Sequence, residues 1–185
     1  MVKQNTHSRS VPQERLVSLL QHYQSGRYIE AEKLAISITQ EFPQHPFGWK
    51  ALGAVLGATG RKPEALDANQ TAVTLSPQDA EAHNNLGNAY RELGRLDEAE
   101  AIYRKAIALK PDYVEAIYNL GVTLQEQGRF DEAEANYKKA IALKPDFPEA
   151  RNNCGATLKK LGRLGEAEAS YRKAIALKPD YVEAI

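Results

Sequence analysis

At 185 residues the chain is long enough for one domain or one continuous array. Its 24 basic residues balance 24 acidic ones, so it lacks the basic excess that accompanies nucleic-acid binding or electrostatic attachment to a membrane. A single cysteine, Cys154, excludes an internal disulfide framework and a cysteine-based zinc site, and no apolar run approaches the roughly 20 residues that span a bilayer.

The chain opens on Met1–Ser10, which is polar and has no apolar stretch behind Lys3. It is therefore not a secretory signal, and a cytoplasmic location is expected. Residues 1–11 read as a disordered tail. From Pro12 onward a period of 34 sets in, with prolines at Pro43, Pro77, Pro111, Pro145 and Pro179. Glycines keep the same step at Gly26, Gly60, Gly94, Gly128 and Gly162, and alanines at Ala31, Ala65, Ala99, Ala133 and Ala167. A fixed period of this size means stacked helical units.

The first unit, 12–45, is divergent: Ser18-Leu19 stands where later units have Leu-Gly, and Ala35 where they have an aromatic. The second, 46–79, carries Trp49, Leu52, Gly53, Leu56, Ala65, Ala72 and Pro77, but Asn69 replaces the aromatic. The third, 80–113, predicts two helices. Over 80–93, His83, Leu86, Gly87 and Tyr90 share one helical face, and Gly94 suits a C-terminal position with positive φ. Over 96–109, Ala99, Tyr103 and Ala106 share a face before Pro111 breaks the helix. Asp97, Glu98 and Glu100 at its start and Arg104, Lys105 and Lys110 at its end complement the helix dipole. Gly87 and Ala99 let the paired backbones approach closely.

The fourth and fifth units, 114–147 and 148–181, repeat this plan, and 24 of 34 positions are identical between 80–113 and 148–181. The last four residues, Val182–Ile185, read "VEAI" and open a further, truncated unit. The chain is thus expected to be a truncation whose helix 164–177 exposes apolar surface, with end-to-end self-association through 164–185.

These marks (a large residue, Leu-Gly, an aromatic or Leu, then Ala, Tyr, Ala and Pro) resemble the tetratricopeptide repeat over 12–181. The resemblance implies an all-α fold, a right-handed α-α superhelix of five tandem helix pairs. It also implies a binding scaffold.

Candidate chemistry is sparse. The run Gly53–Lys62 is glycine-rich but lacks phosphate-loop spacing and a preceding strand. His7, His22, His45 and His83 share no metal-ligand spacing, so no metal or other cofactor is expected. Acidic pairs such as Asp97-Glu98 and Asp131-Glu132 recur at helix starts and read as solvated. Cys154 takes the slot of Leu52, Leu86 and Leu120, which suits a buried structural thiol. No nucleophile, base and oxyanion site assemble. No catalytic residue is assigned, and these residues are not expected to form an enzyme.

Binding is the remaining reading. Opposite the core face of each first helix lies a stripe that, by the resemblance, lines the concave surface. It presents Glu81, Glu115 and Glu149, then Asn84, Tyr118 and Asn152, then Asn85, Asn119 and Asn153. Asn88, Arg91, Gln125 and Lys159 follow. An amide offers both donors and an acceptor, so the row Asn85, Asn119 and Asn153 can pair with the backbone of an extended peptide; the alternative is a tolerated polar residue copied by duplication. The array also resembles the repeat region of O-linked N-acetylglucosamine transferases and their bacterial relatives, where similar asparagines grip protein substrates. Three functions follow: a peptide-binding scaffold, the substrate-recognition arm of a glycosyltransferase or sulfotransferase whose catalytic part lies beyond residue 185, or a self-associating scaffold. The two divergent N-terminal units are expected to open first.

Overall fold

The computed structural model describes residues 10–179. Among them lie ten α-helices and no strand, an all-α helical repeat. The first nine residues of the expected tail and the segment Val182–Ile185 fall outside the described residues. The helices group into two compact units, one ending at Gln78 and the other beginning at Asp79.

The first unit holds α1 (Gln13–Gln24), α2 (Tyr28–Glu41), α3 (Pro46–Ala58) and α4 (Lys62–Leu75), each packed on its chain neighbour. Its core joins Leu19, Ala31, Ala35, Ile38, Leu52, Val55 and Leu56. Val11 corrects the expected tail, because it is buried in this core with Leu16 packed against the same cluster. Pro12 caps α1, so Val11 and Leu16 hold the positions of a hydrophobic staple, which fixes how the chain enters the helix.

The second unit holds α5 (Ala80–Glu92), α6 (Leu96–Leu109), α7 (Val114–Glu126), α8 (Phe130–Leu143), α9 (Pro148–Lys160) and α10 (Leu164–Leu177). Consecutive helices pack on one another, and α7 also touches α5 and α9. Each turn inside a pair is made the same way. Gly94 has φ +73°, its N–H reaches Arg91 O, and the Arg95 N–H reaches Tyr90 O over 3.0 Å. This is the 6→1 closure that a residue of positive φ permits.

Two contacts set the spacing of the helices. A Cβ on Gly87 would stand 2.6 Å from the Tyr103 ring, and one on Gly121 would stand 2.9 Å from Tyr137. Glycine is therefore required wherever the paired tyrosine lies flat on the first helix. Between successive pairs, Arg129 bridges Glu100 and Glu132, and Arg163 bridges Glu134 and Glu166. Arg61 repeats the arrangement with Glu32 and Glu64 in the first unit. Acidic residues at helix starts thus serve in part as partners of arginines: direct hydrogen bonding to Arg95, Arg129 and Arg163 holds Glu98, Glu132 and Glu166, respectively, below the usual carboxylate range.

Candidate functional site

The expected stripe is developed in the second unit, where α5, α7 and α9 are neighbouring first helices. Successive first helices place equivalent positions side by side, so a residue can reach the preceding repeat across a spacing close to the period. Asn119 does this twice. Its Nδ2 donates to Asn84 Oδ1 and to Asn88 Oδ1, each over 3.1 Å. The Tyr103 hydroxyl donates to the same Asn88 oxygen over 2.6 Å. One repeat later, Asn153 Nδ2 donates to the Tyr118 hydroxyl over 2.9 Å.

The asparagine row is consequently stitched to itself. The Asn119 amide nitrogen has two acceptors inside the protein, so its donor side is turned inward and its oxygen is the acceptor that remains. The cause is steric as well as electrostatic, since Asn84 and Asn152 are only 6% and 8% exposed and a buried amide needs partners. Asn152 Oδ1 has none among the described residues. Asn85, Asn88, Asn119, Asn153 and Tyr118 are half-buried.

Further along the stripe, Gln125 Oε1 accepts from the Tyr137 hydroxyl and from Thr157 Oγ1, each over 2.9 Å. Arg91 pairs with Glu126 over 3.2 Å, and Lys159 is exposed. Burial pushes the Tyr103 phenol up to about 12 and pushes Tyr137 up as well, so both donate as neutral phenols. The sequence reading missed these tyrosines as partners of the stripe, treating them only as core. It also missed Phe147, whose ring lies 4.9 Å from Tyr118. The signal for it is its slot, shared with Tyr113 just ahead of each first helix.

The other candidates resolve into packing. Gly53 lies against Asn69, and Gly60 turns the chain with φ +79°. Burial raises the Cys154 thiol, which disfavours the thiolate a nucleophile requires. Among the described residues no three His, Cys, Asp or Glu side chains group to hold a metal, and no helix is long and apolar enough to cross a membrane.

Comparison with known proteins agrees with this architecture. The tetratricopeptide repeat profile matches residues 47–112, 78–146 and 118–182. A UDP-N-acetylglucosamine–peptide N-acetylglucosaminyltransferase of Caenorhabditis elegans is 35% identical over 70 residues, 38% of this chain but only 6% of that enzyme's length. Among solved structures, a thermophilic tetratricopeptide protein of Thermus thermophilus is 30% identical, with a TM-score of 0.78 over 93% of this chain and 94% of its own. MamA is 26% identical, with a TM-score of 0.76 over 86% and 93%.

Proposed function

The chain belongs to the tetratricopeptide repeat family, and on that premise we propose that its second unit binds an extended protein segment along α5, α7 and α9. The observation that carries this reading is the internally bonded row Asn84–Asn119–Asn88. A row held by its own hydrogen bonds loses little freedom when a ligand arrives, which lowers the cost of binding. Acceptors left on the half-buried amides can take backbone N–H groups of a peptide regardless of its side chains. Each such bond contributes on the order of 1 kcal/mol, so recognition is weak and depends on several rungs together. The balanced charge supports a protein ligand over nucleic acid, and the buried lone thiol supports a cytoplasmic setting.

Titration of the chain with a panel of unstructured peptides, followed by fluorescence anisotropy, tests the reading. Saturable binding that weakens in an Asn85→Ala, Asn153→Ala double variant supports it. No binding by any peptide refutes it.

Two further readings rest on single observations. Similarity to the Caenorhabditis elegans transferase favours a substrate-recognition arm, with the chemistry carried by residues outside this chain. The outer face of α10 favours self-association: Leu164 is 65% exposed, and the Glu168 side chain is 62% exposed where its counterpart Glu134 is 8% exposed. A second copy seated there would bury what the following repeat buries on α8. Sedimentation over a range of concentrations, with Leu164→Lys as the control, distinguishes a dimer from a monomer.

A further inference from the structure

The stripe of the second unit is not neutral in its hydrogen-bonding character. Two of its amides turn donors into the protein: Asn119 on Asn84 and Asn88, Asn153 on Tyr118. Further acceptors lie along it. Asn152 Oδ1 is buried with no donor among the described residues. The Glu115 carboxylate is exposed and makes no ion pair among the described residues. Glu81 and Glu149 repeat its position on the neighbouring first helices, Glu149 lying 3.9 Å from Lys178.

At the middle rung the amide is replaced by an aromatic. Tyr118 stands in the slot of Asn84 and Asn152, half-buried, with its ring centroid 4.9 Å from Phe147 and 5.9 Å from Tyr137. Glu115 lies three residues earlier on α7, on the same helical face and within reach of whatever covers the ring. Two neighbouring lysines are seated on other rings, Lys144 over Phe147 and Lys110 over Tyr113, each 5.0 Å from the ring centre. The far edge of the stripe carries the compensating charge, Arg91 paired with Glu126 and exposed Lys159. After burial, Glu81, Glu115 and Asp79 push the Tyr113 phenol up to about 12.

Resting on the peptide-binding reading above, we propose that the bound segment carries an arginine whose guanidinium stacks on Tyr118 and pairs with Glu115. A guanidinium is planar, always charged and donor-only, so it meets an aromatic face and a carboxylate at once. Lysine satisfies the charge but not the stacking. A planar neutral side chain such as citrulline keeps the stacking but not the charge, and an acidic side chain meets neither.

The test uses fluorescein-labelled unstructured peptides that differ only at a central residue, which is Arg, Lys, citrulline or Glu. They are titrated into the full chain and into the Glu115→Gln and Tyr118→Asn variants. Tyr118→Asn restores the residue found in the flanking repeats, and melting curves by circular dichroism confirm that both variants fold. The expected result is Arg tighter than citrulline by about fivefold, the equivalent of roughly 1 kcal/mol. Lys falls between them, the Arg–citrulline gap closes in Glu115→Gln, and the Arg–Lys gap closes in Tyr118→Asn. Equal binding of all four peptides overturns this inference and leaves the peptide-binding reading standing. Binding of none overturns both.

Discussion

Asn119 and Asn84 lie 35 residues apart on successive first helices, and the Asn119 amide nitrogen donates to the Asn84 oxygen over 3.1 Å. Because Asn84 is buried, that bond is part of the fold as well as of the candidate groove. An asparagine in mid-helix costs helix propensity relative to alanine, so on local grounds replacing the row by alanine would stabilise the chain. The structure reverses that for one member. Asn119→Ala removes the donor from a buried acceptor, which costs about 1–3 kcal/mol. Urea unfolding of Asn119→Ala is expected to show a lower midpoint than the parent.

The glycines of the second unit divide by what surrounds them. Gly87→Ala sets a Cβ against the Tyr103 ring, and overpacking of this kind costs about 1–3 kcal/mol. Nothing lies within 4 Å of a Cβ on Gly165, so Gly165→Ala gains up to about 1 kcal/mol from helix propensity alone. Thermal melts of the two variants should move in opposite directions.

The buried phenols make stability fall in base. Tyr103 is raised from 10.0 to about 12 by burial, so above pH 10 the unfolded chain releases its proton first and the folded chain holds it. The contribution of the neutral phenol is complete below pH 10 and is lost as pH rises towards about 12. A Tyr103→Phe variant should show a flatter decline in unfolding midpoint across that window, with the tyrosinate absorbance of the parent appearing as it unfolds.

Unit-specific defects set the order of opening. In the first unit Asn69 Oδ1 is buried beside Gly53 without a partner among the described residues, where Gly87 and Gly121 each face a tyrosine. Amide exchange is expected to be faster in α3 and α4 than in α6 to α8. Asn69→Tyr, which restores the glycine–tyrosine pair, should slow it by raising local stability about 1–3 kcal/mol. Uniform protection from α1 to α9 contradicts the expectation.

The repeat plan was legible because its determinants are local and copied. Gly94 and its counterparts mark turns that need positive φ, the prolines mark where second helices cannot continue, and Gly87 with Tyr103 marks a contact inside one helix pair. Each signal recurs at a fixed step, so the helices, their pairing and the all-α repeat architecture follow from the order of residues alone. The same periodicity located the stripe, but not what its side chains do. That Asn119 turns its amide nitrogen onto Asn84 and Asn88, that Arg151 in a core slot reaches back to the Pro145 carbonyl as Trp49 reaches Pro43, and that Val11 is buried are decided between helices. Hydrogen-bond satisfaction depends on distances of a few tenths of an ångström between groups far apart in the chain, and only the packed structure sets those distances.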